Sequence, residues 1–172
     1  VISTSQTGLT LTKSGAGTLT LSGTNTYTAS TNVSAGTLLV TGALNASSGV
    51  TVASGATLGG TGSIFAASST NTRTVNSGGT LAPGVAGTNN GVGTLTVNGN
   101  LTIAGTLAAD IAGATAGTGY DQVVVNGTVD VSNATLTPTL SYTPGNGDAY
   151  VVIANDSTDS ITGTFTGLSQ GG

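Results

Sequence analysis

The chain has 172 residues, with no Cys, Met, His, Trp or Glu, 5% charged side chains and 29 glycines. Two bases, Lys13 and Arg73, stand against six Asp for a net charge of −4, which removes the electrostatic footprint that DNA or RNA binding needs. Without His or Cys, and with a single Lys, nucleophile–base pairs and soft-metal sites lack their material, so no catalytic, cofactor-binding or metal residue is expected and the chain does not read as an enzyme.

The alphabet that remains points to an all-β fold. Thr, Val and Ile favour pleated surfaces, while Gly and Asn favour corners. In chain order, period-two alternation predicts strands at Leu9–Thr12, Thr18–Ser22, Thr31–Ser34, Thr37–Val40, Val50–Ala53, Thr72–Val75, Thr94–Val97, Leu101–Ile103, Gln122–Val125, Val129–Val131, Thr135–Leu140 and Tyr150–Ile153. Corners fall at Ser14-Gly15, Ser22-Gly23, Ala35-Gly36, Ser54-Gly55, Ser77-Gly78-Gly79, Asn98-Gly99 and Asn126-Gly127. Two non-periodic stretches, 83–93 and 112–119, read as loops that leave the regular structure.

The chain also repeats itself. Gly-Thr-Leu-x-Leu/Val-x-Gly occurs at Gly17–Gly23 and Gly36–Gly42, then in degraded form at Ala56-Thr57-Leu58, Gly79-Thr80-Leu81, Gly93-Thr94-Leu95, Gly105-Thr106-Leu107 and Gly127-Thr128-Val129. The first four anchors lie about 20 residues apart, a period that belongs to solenoids. A core of Leu, Val, Ile and Ala, at 37% hydrophobic and almost without aromatics, suits a narrow coil. We expect a β-solenoid of about 20 residues per turn. A repeat-bearing β-helix is placed at 1–110, and a less regular C-terminal third, continuation or cap, at 111–172.

Leu11–Gly42 resembles the passenger-associated transport repeat of bacterial autotransporter passengers, and GATLGGTGSI (Gly55–Ile64) and SGGTLAPG (Ser77–Gly84) resemble the phrases that follow it. GTLTVNGNLTI (Gly93–Ile103), YDQVVVNGTV (Tyr120–Val129), DAYVVIA (Asp148–Ala154) and ITGTFTGL (Ile161–Leu168) are similar to the C-terminal passenger region of the same proteins. The resemblance implies a right-handed parallel β-helix, exported and displayed or released as a stalk or adhesive surface. Two features depart from the pattern. Ala29 stands where such repeats usually carry Gly, and no translocating β-barrel follows Gly172.

Few residues carry candidate chemistry. Asp148, Asp156 and Asp159 are considered as an acid or calcium cluster, but Asn155–Asp159 lacks calcium-nonapeptide spacing and a solvated turn is the plainer reading. Asp110, Asp121 and Asp130 lie near strand ends, where they would cap loops. Thr-x-Thr pairs (Thr10/Thr12, Thr18/Thr20, Thr24/Thr26/Thr28, Thr72/Thr74, Thr94/Thr96, Thr135/Thr137/Thr139) would form outward ladders. Ice or water matching would need equal spacing on one flat face, and the anchors drift after Leu81. Tyr27, Tyr120, Tyr142, Tyr150, Phe65 and Phe165 are either a sugar-stacking platform or plugs for corners and caps. The Asn-x-Ser/Thr positions at Asn32, Asn45, Asn100, Asn126, Asn133 and Asn155 are what chance gives in so Thr-rich a chain.

Two functions are carried forward. One is a non-catalytic stalk or adhesin-type segment at the bacterial surface, with roughly eight turns giving a rod of about 40 Å. The other is the subunit of an extracellular filament joined end to end through terminal strand edges. Threonine-ladder contact with water, ice or glycans is a minor alternative. The expected partners are further copies of the chain at those edges and a host, matrix or glycan surface. No run of 18 apolar residues and no signal peptide is present, and a start at Val1 reads as a mature or excised piece of an exported protein.

Overall fold

The computed structural model describes residues 8–27, 29–45, 48–66, 74–157 and 159–168. Each turn of the chain lays down three short strands and then stacks on the previous turn. The first turn is β1 (Leu11–Lys13), β2 (Thr18–Leu21) and β3 (Thr24–Asn25), and the second is β4 (Thr31–Val33), β5 (Gly36–Val40) and β6 (Ala43–Leu44). The third is β7 (Val50–Val52), β8 (Ala56–Gly60) and β9 (Ser63–Ile64), and the fourth is β10 (Thr74–Ser77), β11 (Thr80–Pro83) and β12 (Thr94–Val97). The fifth is β13 (Asn100–Ile103), β14 (Thr106–Ile111) and β15 (Gln122–Val125); the sixth is β16 (Val129–Asp130), β17 (Thr135–Leu140) and β18 (Ile153–Asn155). A seventh opens with β19 (Ile161–Thr162). Every third strand pairs in parallel, giving sheets β1-β4-β7-β10-β13-β16-β19, β2-β5-β8-β11-β14-β17 and β3-β6-β9-β12-β15-β18. The fold is a parallel β-helix.

The repeat phrase has a position-by-position explanation. Its threonine forms one column on the second sheet, Thr18, Thr37, Thr57, Thr80, Thr106 and Thr135, all in register. The next residue points inward, and Leu38, Leu58, Leu81 and Leu107 stack at 0 to 1% exposure. The leading glycine turns the first corner directly against the turn below. A Cβ at Gly105 would lie 2.1 Å from the Gly79 carbonyl oxygen, and one at Gly79 would lie 2.3 Å from that of Ala53. In the third and sixth turns Ala56 and Ala134 take this place, and both donate into a hydrogen-bonded turn, to Ala53 and Val131. The closing glycine turns the second corner, where a Cβ on Gly62 would come within 2.0 Å of the Gly42 oxygen.

The interior is three aliphatic walls. Facing the Leu column are Val33, Val52 and Ile103 from the first sheet, and Leu44, Ile64, Val97 and Val125 from the third. Side chains in such a core each contribute on the order of 1.5–3 kcal/mol by leaving water. Lys13 occupies the inward place below Val33, and its ammonium donates to the carbonyls of Ser14, Gly15 and Ala35 at 3.2, 2.7 and 2.9 Å. Tyr27 and Phe65 are buried at the third corner, and Phe165 packs against the core from the C-terminal end.

The turn length is not constant. The threonine column spaces its turns by 19, 20, 23, 26 and 29 residues, so the described residues form six full turns, not the eight that a fixed period of about 20 suggests. Six steps of about 4.8 Å from β1 to β19 give roughly 29 Å. The growth sits mainly at the second corner, which holds two residues in each of the first three turns and then ten (84–93), ten (112–121) and twelve (141–152). The drifting anchors have the same origin, since Thr94 lies in the third sheet and Val129 in the first. The strand expected at Tyr150–Ile153 forms instead at Ile153–Asn155, because the register set by Val123 pairs it with Ile153 and leaves Tyr150 in the loop. Thr72 and Arg73 lie outside the described residues.

Gly105→Ala is expected to lower the melting temperature strongly, at a cost of about 2–4 kcal/mol, because its methyl must displace a carbonyl in the turn below. Gly17→Ala occupies the same place in the phrase with nothing within 4 Å and should be close to neutral. Thermal melts of the two variants beside the parent check both.

Candidate functional site

The three long loops emerge from successive turns at one corner, so they stack into a ridge beside otherwise smooth sheets. The first, 84–93, is bound to the turn below by reciprocal Gly60–Gly84 backbone hydrogen bonds of 3.0 and 2.9 Å. Its tip is a 3-10 turn at Asn89–Gly91 in which Asn89 and Asn90 hold positive φ (46° and 56°), a conformation that asparagine tolerates better than most side chains. The second, 112–121, folds on itself through Ala112 to Gly119 (2.7 Å), Gly117 to Tyr120 (2.7 Å) and Tyr120 to Thr115 (3.0 Å). Between the first loop and the short corners of the earlier turns lies a concavity of 460 Å³ lined by Thr41, Thr61, Val85, Val92 and Thr94, with no charged residue on it.

Asp121 ties the ridge together. It is 3% exposed, and its carboxylate accepts from Gly93 N–H at 2.8 Å and from Asp110 N–H at 2.9 Å, joining the end of one loop to the strand that starts the next. Burial pushes its carboxyl up from 3.8 to about 6; the two amide donors pull the other way and the nearby Asp110 adds to the rise. A carboxyl raised on folding binds its proton more tightly in the folded state. It therefore stabilises the fold most at low pH, and that contribution falls as pH rises from about 4 through 6.

The third loop gathers aromatics. Tyr142 and Tyr150 both donate to Asp148 Oδ2 at 3.1 Å, their hydroxyls also meet each other, and Gly145 N–H donates to the same oxygen at 2.8 Å. These donors hold the Asp148 carboxyl below its ordinary value, the Gly145 amide contributing most, whereas desolvation and the hydroxyl and carboxylate around it push Tyr150 up. Tyr150 meets Tyr120 edge to face with ring centroids 5.3 Å apart, and Gln122 Nε2 ties Val151 O at 2.8 Å.

The candidate residues thus separate. Of the six aromatics, Tyr120, Tyr142 and Tyr150 come together on the ridge, whereas Tyr27 and Phe65 are buried corner fillers. Asp148, Asp156 and Asp159 do not form a cluster. Asp148 is held by the tyrosines and Asp159 by Asn155, and among the described residues no group of three or more acidic, His or Cys side chains is placed to hold a metal. Asp130 is half-buried and accepts from Ser132 N–H at 2.9 Å; the Ser132 hydroxyl and amide hold its carboxyl below the ordinary value. The threonines give one complete ladder. Its would-be companion column runs Thr20, Leu39, Gly59, Ala82, Ala108 and Thr137, so among the described residues this sheet carries no two-column threonine array. Asn126 Nδ2 donates to Asn98 Oδ1 at 2.7 Å, Asn155 Nδ2 to Asp159 Oδ1 at 2.9 Å, and Asn100 Oδ1 accepts from Thr128 N–H at 3.1 Å, so these three Asn-x-Ser/Thr amides are hydrogen-bonded within the chain. Thr28 lies outside the described residues. Among those described, no helix is long and apolar enough to cross a membrane.

Sequence reasoning did not find the Asp121 tie, because its partners Gly93 and Asp110 are distant in sequence and meet only through stacking. Asp121→Asn replaces one acceptor oxygen by an NH₂ that must face an amide N–H, an expected loss of about 1–3 kcal/mol. The parent protein should lose thermal stability between pH 4.5 and 6.5, and the variant should lose less over that interval. Melts at the two pH values measure this; an equal slope in both proteins would remove Asp121 as its source.

Residues 11–40 match the Passenger-associated-transport-repeat family. No curated protein and no solved structure matches the chain. The matched segment runs from β1 to the end of β5 and includes both full Gly-Thr-Leu anchors, at Gly17 and Gly36. The chain is therefore a β-helical repeat protein in which the first two described turns carry a match to the passenger-associated-transport-repeat.

Proposed function

We propose that the chain is a non-catalytic structural segment of an autotransporter-type passenger, displayed outside the bacterial cell, where its stacked turns hold the loop ridge away from the surface. The observation that carries this reading is the repeat at residues 11–40 set on sheets that continue in register to β19. Residues 111–172, on this reading, extend the same rod and carry its most elaborate loops. The work is mechanical and presentational: each strand between the first and last of its sheet is bonded to the turns on both sides, so load along the axis is shared by three ladders at once. An alphabet without His, Cys or Glu supports a role without catalysis.

A glycan contact on the ridge is a second reading, favoured by the uncharged, threonine-lined concavity of 460 Å³, a volume within the range of small-ligand sites. Assembly into a filament through terminal strand edges is the competing structural reading.

Sedimentation and negative-stain electron microscopy over a concentration series separate stalk from filament. Discrete particles of one chain at all concentrations are expected, and long uniform fibres would replace the stalk by the filament. Antibody labelling of intact cells of the source bacterium is expected to be positive without permeabilisation; labelling only after permeabilisation would refute display.

A further inference from the structure

Asparagine is a thermolabile residue, most of all before glycine, where no side chain hinders the next backbone nitrogen from reaching the asparagine amide carbon. The chain has four such pairs, Asn90-Gly91, Asn98-Gly99, Asn126-Gly127 and Asn146-Gly147. The fold treats them unequally.

Three are restrained. Asn98 is 8% exposed, donates from Nδ2 to Phe65 O at 3.0 Å and accepts at Oδ1 from Asn126 Nδ2 at 2.7 Å. Gly99 and Gly127 are buried, and their corners stack so closely that a Cβ on Gly127 would lie 2.7 Å from the Gly99 carbonyl oxygen. Asn90 is exposed, but Gly91 N–H donates to Thr88 O at 2.8 Å within the 3-10 turn of the first loop. Ring closure requires the glycine nitrogen to give up its proton and swing onto the side chain. Each of these pairs must first break a hydrogen bond or unstack a corner, so each reacts only through a local opening.

Asn146-Gly147 carries no such restraint. It forms the tip of a turn in the third loop, closed by Asp148 N–H donating to Gly145 O at 3.2 Å, with Gly147 at φ 92°. Both residues are exposed, and nothing lies within 4 Å of where a Gly147 Cβ would stand. Neither the Asn146 side chain nor Gly147 N–H has a hydrogen-bond partner among the described residues. We infer that Asn146 is a site of spontaneous covalent modification, at which the Gly147 nitrogen closes on the Asn146 amide carbon and the resulting succinimide opens to aspartate or isoaspartate. The bond from Gly147 N to Asn146 Cγ forms, the Cγ–Nδ2 bond breaks, and the displaced nitrogen leaves as ammonia with the proton that Gly147 gave up. Water then adds to one of the two ring carbonyls, so one water is consumed, one ammonia is released, and no oxidant or reductant takes part.

The product acts on the ridge. Either form adds a negative charge to a chain of net −4, two residues from the carboxylate that gathers Tyr142, Tyr150 and the Gly145 amide. Isoaspartate also inserts a methylene into the main chain between Gly145 and Asp148, so the two hydrogen bonds that close this turn no longer span the same ring. The site is independent of the stalk reading.

Peptide mapping by mass spectrometry tests it, on the 172-residue chain aged in mildly alkaline buffer, folded and in denaturant. Chymotryptic cleavage after Tyr142 and Tyr150 isolates 143–150, in which Asn146 is the sole amide side chain. That fragment should gain about 1 Da and contain isoaspartate. In the folded chain Asn146 should convert at least about tenfold faster than Asn98 or Asn126, and in denaturant the pairs should converge. Asn146→Gln, whose longer side chain must close a larger ring, should slow the mass gain of the fragment by about tenfold or more. Conversion of Asn146 no faster than that of Asn98 and Asn126 in the folded chain overturns the inference. A product that is aspartate alone, or a Gln variant that reacts at the parental rate, overturns the succinimide route.

Discussion

One turn of this chain must lie on the next at about 4.8 Å, with backbone against backbone even at the corners. That distance leaves no space for a side chain between stacked carbonyls, as the 2.0 and 2.1 Å approaches that a Cβ on Gly62 or Gly105 would make demonstrate. The rest of the architecture follows. Glycine is required where a tight corner stacks, the residue after it points to solvent, and the one after that enters the core, which is the phrase Gly-Thr-Leu. Where the corner widens into a hydrogen-bonded turn, at Ala53–Ala56 and Val131–Ala134, alanine suffices.

The same constraint explains why the chain has so few charges. In an in-register stack, any side chain repeated from turn to turn stands directly above its copy, and like charges held that close repel each other by about 1 kcal/mol even in water. Threonine repeats without this penalty. The aspartates fall off the regular columns or pair in register with neutral residues, Asp110 with Thr139 and Asp130 with Thr102 and Thr162. Lys13 sits in the first turn, where no earlier described turn lies beneath it and three corner carbonyls take up its donors.

Fold class was legible because periodicity of two and repetition near 20 residues are both local signals in the sequence. Strands such as Thr94–Val97, Gln122–Val125 and Thr135–Leu140 could be read to the residue. The two-residue strands β3, β6 and β9 could not, because so short a piece has no period and becomes a strand only through its neighbours above and below. The strands β8, β11 and β14 appeared only as degraded repeats, as Gly59, Ala82 and Ala108 blur the alternation. The site was harder still. Gly93, Asp110 and Asp121 belong to one hydrogen-bond group through stacking alone, and the meeting of Tyr120 with Tyr150 depends on how two loops from successive turns fold back. Loop conformation leaves no such periodic mark.

The second corner grows from two residues to twelve while the strands on either side keep their register. Lengthening a closed loop costs little, about 0.6 kcal/mol per doubling, when its ends are already held by sheets. This corner is thus the position at which the helix can gain or exchange sequence without being redesigned. A lineage could diversify what it shows to its surroundings by editing one edge, and a foreign peptide could be grafted between β11 and β12 on a frame that would not register the insertion.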